Sequence, residues 1–522
     1  MFGQIEIFGL FIQELIMTDR CKIEKKPLRV AVFGAGISGL AIAHQCVKQG
    51  FEVTVYDKEM STGGKCRGTV IDGKVYELTH RQLFAKNHHL INFLKEIPSS
   101  TGSCLDSIYP QNRVQFHWGK KNKTMQFQRL YFKGLDKLLD DAKSAYSMVY
   151  SQVSLIDILW FKKQIQRDYD PSELLKKTVG EFFEYQTRPS LAAFLQPVLL
   201  GWIGCTDETS ALSVLDLLNN KIGEFHPDAP QAYSLGIREP IGDAIITPLT
   251  HYLREKGVQF HLGNELRVLH SNDEKTHVDY VELKDTDPVK ADFYVLALPA
   301  HVTQSLLGKA SKALDYRYVF SHGFQFHFSS MPEILKDKTV GLVLDSPWGL
   351  SYHITTSEEG NVCLSVTATD LDKAIGVMYF QPVLECSEEE VRDELLAQLF
   401  GELSLLDDST YEAFNIGLGA KIVNKNEAET HYSDWFLGPP IRNEEGERCY
   451  WVVQHALTQP TSKSHLPLIA ENYSNVFLSG EYLYDPKQKW RVPVTLERCI
   501  ETANLCMEHV LMKASLLDME VV

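Results

Sequence analysis

The sequence predicts an α/β protein in which a doubly wound, dinucleotide-binding domain is interleaved with an α+β substrate domain carrying a mixed sheet. Three observations predict it. A short apolar and β-branched run, LRVAVFG at 28–34, leads directly into Gly34-Ala-Gly36-Ile-Ser38-Gly39, and a helical apolar spacing then runs from Leu40 to Lys48. A second strand-like run, 52–56, closes on an acid, Asp57, so that strand, helix and strand form one βαβ unit. Buried-strand runs of the same character return at 259–262, 293–297 and 476–478, with unlike material between them.

Taken in order, each element of the first unit has a physical reason. Gly34 suits a tight turn, Gly36 lets a diphosphate approach the backbone, and Gly39 allows close helix–strand packing. The helix that starts around Ser38 offers unpaired N–H groups and a partial positive charge to phosphates. Asp57 follows Gly39 by eighteen residues, where a carboxylate accepts from ribose hydroxyls and would repel a 2′-phosphate. Between 87 and 221 longer amphipathic segments take over. Strand-like stretches follow at 323–328, 341–344 and 362–368, and 387–400 reads as a helix capped by Ser387 with Glu390 three residues on. A last helix is expected from about Val494. The expected division is a nucleotide-binding unit from 28–95, 236–300 and 441–522, with 96–235 and 301–440 forming the substrate side.

Composition removes several function classes. The 522 residues carry 52 Lys and Arg against 68 Asp and Glu, a formal charge of −16, which disfavours nucleic acid as a partner. Ten cysteines without a C-x-x-C spacing read as reduced thiols. The first sixteen residues are apolar but carry Glu6, Gln13 and Glu14 and lack a basic leader, so neither a signal peptide nor a membrane span is expected. The reading is a cytoplasmic protein, with peripheral membrane contact and oligomeric state left open. His88-His89 lacks a third ligand at a metal-like spacing, so no metal is expected. Neither G-x-S-x-G nor a P-loop occurs.

The residues after Asp57 carry a resemblance. Lys58-Glu59-Met60-Ser61-Thr62-Gly63-Gly64-Lys65-Cys66-Arg67-Gly68 resembles the second glycine motif of the flavin amine oxidase and phytoene desaturase superfamily. So do 248–266, 291–299 and the stretch ending in Gly480-Glu481. The resemblance implies FAD as cofactor. It places Gly34, Gly36, Ser38, Gly39, Lys58, Gly64, Lys65 and Arg67 near the diphosphate, and Leu266 by the adenine. Asp57 falls at the ribose and Gly480-Glu481 by the ribityl chain. Thr495 and Leu496 lie at a helix N-terminus facing the flavin ring, where partial positive charge favours reduced, anionic flavin.

Departures from the family pattern bear on function. The family commonly has a lysine near the reactive flavin nitrogen; the equivalent stretch, 319–324, offers His322 instead. Thr79 stands where a glycine is usual, with His80 and Arg81 beside it, so Thr79 and His80 are read as the floor of the flavin pocket. His80, Arg81 and His322 are the catalytic candidates, each open between chemistry and packing. Tyr482, Tyr484 and Trp490 are candidates for an aromatic wall, and Cys66 and Cys499 lack the context of a covalent flavin link. The implied activity is hydride removal from a hydrophobic or amphipathic small molecule, as in carotenoid desaturation. Amine oxidation, or a redox-neutral or non-catalytic flavoprotein, is the alternative.

Overall fold

A computed structural model describes residues 26–520 apart from 112, 122, 129–133, 219–225, 231, 233, 309–316, 444, 460–469, 471 and 484–494. The apolar first stretch, Tyr484, Trp490 and Val494 therefore lie outside the described residues. The elements that build the site begin with β1 (Arg29–Phe33), α1 (Ile37–Lys48), β2 (Glu52–Asp57), β3 (Gly68–Ile71), β4 (Lys74–Glu77) and α2 (His88–Glu96). Next come β5 (Arg113–Trp118), β6 (Lys123–Gln128), α3 (Leu155–Ile165), α4 (Pro189–Ile203), β7 (Gln259–Leu262) and β8 (Phe293–Leu296). Then follow β9 (Arg317–Phe328), β10 (Val340–Val343), β11 (Ser351–Thr356), β12 (Val362–Thr369), α5 (Glu388–Phe400) and β13 (Tyr411–Asn415). The chain closes with β14 (Ala456–Gln459), β15 (Val476–Leu478) and α6 (Leu496–Glu520).

Five strands in the order β7-β2-β1-β8-β15 form a sheet whose every pairing is parallel, drawn from the start, middle and end of the chain. Parallel strands are buried on both faces, and the two-residue period of β1 shows how. Val30 and Val32 turn toward α1, α6 and their neighbours, while Ala31 and Phe33 turn into a second core with Tyr294, Leu296 and Leu478. That second face departs from a simple doubly wound layering. A hairpin, Leu266–Ser271 with Val278–Leu283, and the short helix Ala300–Leu307 cover it.

The second architecture is a mixed sheet in the order β6-β5-β10-β11-β12-β9-β13, with β14 also paired to β9. The strand-like stretches at 323–328, 341–344 and 362–368 all fall within it, and β9 starts earlier than expected, at Arg317. Sequence reading gave 87–221 to amphipathic segments alone. The structure takes β5 and β6 out of that stretch because β5 finds a parallel partner, β10, more than two hundred residues away. The capping box of α5 forms as read: the Ser387 hydroxyl accepts from the Glu390 N–H at 3.2 Å, and Glu390 accepts from the Ser387 N–H at 2.8 Å.

The glycine turn fixes the junction of β1 and α1. Gly34 adopts φ +104°, which a side chain would strain. A Cβ at Gly39 would sit 1.8 Å from the Gly34 carbonyl oxygen, whereas one at Gly36 would meet nothing within 4 Å. Gly39→Ala is therefore expected to lower folding stability by about 2 kcal/mol or more through overpacking, while Gly36→Ala leaves it nearly unchanged. Thermal unfolding of the two variants side by side checks this.

Candidate functional site

A cleft of about 1370 Å³, open to solvent, lies at the carboxyl ends of the parallel strands. Two glycine loops form its floor. The Gly34 N–H donates to the Tyr56 carbonyl and the Gly63 N–H to the Ala35 carbonyl, each at 2.8 Å. A Cβ at Gly64 would stand 3.2 Å from the Gly36 Cα, so the loops meet backbone to backbone. The Asp57 carboxylate ties β2 into this floor, one oxygen accepting from the Ala35 N–H at 2.6 Å and the other from the Glu59 N–H at 2.8 Å. Burial pushes the Asp57 carboxyl above its usual range, and these two donors oppose the shift.

Two loops meet across the cleft through Lys65 and Glu481. The ammonium stands 2.7 Å from the carboxylate and also donates to the Ala456 carbonyl at 2.9 Å. Burial pushes Glu481 up, but the Lys65 charge and hydrogen bond outweigh it and hold the group below its ordinary value. The N-terminus of α1 faces the same cleft, with no side-chain cap and no acid in its first turn.

Of the residues read from the sequence, Gly34, Gly36, Ser38, Asp57, Lys58, Gly64, Lys65, Leu266, Gly480, Glu481, Thr495 and Leu496 all line this cleft. Others are displaced from it. Gly39 is filled from below by the Gly34 carbonyl. The Arg67 guanidinium is taken up by Glu59, Gln454 and the Gly64 carbonyl and does not reach the wall. Thr79 and His80 lie on the loop after β4, which turns into a neighbouring chamber instead. His322 is a correction of register. Side chains alternate along β9, so Ser321 lines that chamber while His322 is fully buried on the other face against the Ile416 carbonyl. Tyr482 is likewise no wall: it is buried with its hydroxyl on Thr303 at 3.0 Å. Cys66 and Cys499 do line the cleft, and burial pushes the Cys499 thiol up to about 12.

The neighbouring chamber, about 970 Å³, combines apolar walls at Phe84, Leu90, Trp202, Leu342 and Leu457 with polar ones that include Gln82, Asn87, Ser351, Thr367 and Glu497. It shares Arg81, His455, Thr495 and Leu496 with the cleft, so the two spaces meet at the N-terminus of α6. A second chamber, about 1060 Å³, shares His80 and Arg81 with the first. Arg81 thus faces all three spaces. Its guanidinium donates to the Lys65 carbonyl and stands 3.5 Å from His455, while its buried Nε has no partner. His80 shares a 3.0 Å hydrogen bond with the Thr367 hydroxyl, and burial pushes its imidazole down to about 3. Glu497, in the first turn of α6, lines the first chamber and accepts from the His89 and Leu90 N–H groups at 3.1 and 2.8 Å; burial pushes it up to about 7.

Sequence reading missed Trp435, His301, Asp434 and His455. Trp435 lines the cleft with its indole N–H buried and unpartnered. His301 reaches the Asp434 carbonyl at 2.9 Å, and Asp434 in turn pairs with Lys58. None of the four stands in a periodic or glycine-rich stretch that would have flagged it. Among the described residues no group of acids, histidines and cysteines could hold a metal, and the nine described cysteines are free and buried. Open glycines, an uncapped helix N-terminus, Lys65, and the unpartnered donors of Trp435 and Arg81 fit an elongated molecule with a diphosphate in its middle.

Comparison with known proteins agrees with this geometry. The family described as flavin containing amine oxidoreductase matches residues 37–485. A zeta-carotene desaturase of Solanum lycopersicum is 26% identical over 320 residues, covering 55% of this chain and 51% of its own length. Protoporphyrinogen oxidase 2 of Arabidopsis thaliana is 26% identical over 186 residues, 35% of this chain and 34% of its own. The chain thus spans about half or less of these relatives' lengths. A putrescine oxidase structure with bound putrescine superposes with a TM-score of 0.57 at 15% identity, covering 93% of this chain and 99% of that one. An oxidoreductase from Methanosarcina mazei gives 0.56 at 13%, covering 92% and 100%. Both likenesses are of fold.

The second chamber carries a titration that stability can report. Burial lifts Glu77 from 4.5 to about 7, against the Ile241 N–H and Arg81, which pull it down. A carboxyl raised in the folded state adds stability that is complete below pH 4.5 and lost as pH rises through about 7. Glu77→Gln is expected to flatten that fall by on the order of 2 kcal/mol, with the Glu497 contribution remaining. Thermal unfolding across this window for both proteins checks it.

Proposed function

The chain belongs to the flavin containing amine oxidoreductase family, and on that premise we propose that it is an FAD-dependent oxidoreductase. It removes a hydride from a hydrophobic or amphipathic small molecule, in the manner of desaturation. One observation carries this reading: the dinucleotide cleft and the neighbouring chamber share Arg81, His455, Thr495 and Leu496 in their walls. Bound FAD supplies the two-electron acceptor. The α1 N-terminus at Gly36 and Ser38, with Gly34, Gly64 and Lys65, receives the diphosphate, and Asp57 the ribose. Lys58 and Leu266 flank the adenosine end, Gly480 and Glu481 the ribityl chain. Thr495 and Leu496 present the partial positive charge of α6 to the ring, and Trp435 and Arg81 offer their free donors. Residues 28–95, 236–300 and 441–522 act as the FAD-binding unit, and the remainder shapes the substrate side.

The chain's own side chains define what the reaction chamber does. The apolar part of its wall, at Phe84, Leu90, Trp202, Leu342 and Leu457, disfavours water on that side and strengthens electrostatic contacts there. Uncharged His80 orients the substrate by hydrogen bonding. Glu497 is poised near neutrality and is the only carboxylate among the described walls of this chamber; it holds the proton that leaves with the hydride. With Glu497 engaged by two backbone N–H groups and Arg81 adding positive charge, the chamber favours an uncharged substrate over an ammonium. This supports the desaturase-like reading over amine oxidation.

On the outside, Leu155, Ile156 and Leu159 of α3 are 67%, 76% and 70% exposed, with Lys162 and Lys163 following. They support peripheral contact with a lipid surface from which an apolar substrate is drawn. Among the described residues no helix is long and apolar enough to cross a membrane.

Two measurements test the assignment. The purified protein is expected to show visible flavin absorption that leaves with the supernatant on heating; a colourless protein that refuses added FAD overturns the reading. Gly36→Val, whose side chain enters only the open cleft, is expected to lower FAD content about tenfold, comparable to displacing a buried ligand contact, with the unfolding midpoint of the cofactor-free protein unchanged.

A further inference from the structure

The turn at 432–435 belongs to neither glycine loop, yet two of its residues, Asp434 and Trp435, line the dinucleotide cleft. It links the helix Lys425–His431 to Phe436–Arg442, an edge strand of a three-stranded antiparallel sheet completed by Ala420–Asn424 and Arg448–Val453. Ser433 and Asp434, residue types that favour turns, occupy its centre. The Trp435 N–H closes it by donating to the Tyr432 carbonyl at 2.9 Å. Trp435 anchors the turn from behind by packing on Val423, Ala428 and Val452. Its buried indole N–H needs an acceptor that the described protein atoms do not supply.

The nucleotide-binding side holds the front of the turn at two points. The Asp434 carboxylate pairs with Lys58, and the Asp434 carbonyl accepts from the His301 ring at 2.9 Å. Lys58 directly follows β2, and His301 lies in the first turn of the short helix after β8. Those two strands flank β1, which leads into the turn at Gly34. Asp434 therefore bridges the two sides of the strand end where the glycine turn begins, across the cleft floor. All groups of this bridge belong to the protein, so a ligand has to open it both on entering and on leaving. The paired side chains are 24% and 25% exposed, and an ion pair with that access to water is worth little and opens readily. Lys58 also stands 3.5 Å from Glu59, so opening does not strand its charge.

We propose that the turn at 432–435 is a strap over the bound dinucleotide, latched by Asp434 on Lys58 and His301, and that the cofactor enters and leaves only when this latch opens. This rests on the reading of the cleft as the FAD site and adds the step that governs cofactor exchange. The part beneath the strap is the adenosine diphosphate half, because Lys58 adjoins Asp57 and the bridge crosses the glycine turn.

The test compares release and uptake of FAD. Release is followed as flavin lost from the loaded protein on rapid gel filtration, and uptake as flavin bound by protein stripped of it. Asp434→Ala, and independently the isosteric Asp434→Asn in case the first variant fails to fold, are expected to speed both rates about fivefold, the scale of one partly exposed ion pair. Removing an acid beside an anionic ligand would by itself speed uptake and slow release, so a rise in both rates identifies the latch. A merely structural tie would lower the unfolding midpoint of the stripped protein and leave both rates alone. Acceleration of one rate without the other, or of neither, overturns the proposal and leaves the flavin reading standing. If the protein takes up no FAD, the flavin reading fails, and stopped-flow exchange of a fluorescent ADP decides the strap by itself. Faster exchange in the variants then sustains it, whereas unchanged exchange or no ADP binding overturns it.

Discussion

The ion pair between Lys65 and Glu481 joins positions 416 residues apart and closes the floor of the cleft. It is mostly shielded from solvent, with side-chain exposures of 22% and 14%, so each charge depends on the other. Desolvation of two such groups consumes much of their attraction, and the pair adds little net stability. Its value is positional. Breaking it by removing one partner leaves a buried charge, so the second glycine loop and the loop after β15 are held to one arrangement. The Ala456 carbonyl, as a third partner of Lys65, brings the start of β14 to the same point.

From that arrangement the rest of the site follows. The carbonyl of Lys65 accepts from Arg81, so the residue that seals the cofactor floor also anchors the guanidinium common to all three cavities. The Arg81 guanidinium lies within electrostatic reach of Glu481, and its positive charge is among the causes that push the His455 imidazole down. In a chain of net charge −16, Lys65, Arg81 and the N-termini of α1 and α6 face the cleft at one end of the parallel sheet, beside the acids Asp57, Glu59, Glu265, Asp434 and Glu481.

What the sequence disclosed depended on how local each signal was. The turn from Gly34 to Gly39, the acid at Asp57 and the capping box at Ser387 are complete within a few residues, and each stands where its spacing put it. His322 failed by a single register step: composition marked the right strand, but only the pleat decides which of Ser321 and His322 faces the chamber. Arg67 failed because its guanidinium is taken up by Glu59 and the Gly64 carbonyl nearby and by Gln454 from the other end of the chain. Trp435 and His455 left no signal, since an isolated aromatic or histidine reads the same in a core as on a cleft wall. The two chambers could not be read at all, because their walls are gathered from β4, α4, β9, β11 and β12 by long-range pairing.

Asp57 shows why local legibility and functional role need not coincide. A carboxylate has about four lone-pair directions, and here one on each oxygen is taken by the Ala35 and Glu59 N–H groups. The remaining capacity is open to ribose hydroxyls, so the residue can hold the loop and a ligand together. The two duties reinforce each other. The backbone donors stabilise the ionised form that burial opposes, and a carboxylate kept ionised is the better acceptor for a hydroxyl. The acid that marks a dinucleotide fold in the sequence is thus first a structural clamp on the glycine turn. The ribose contact proposed for it would use the acceptor directions that the clamp leaves open.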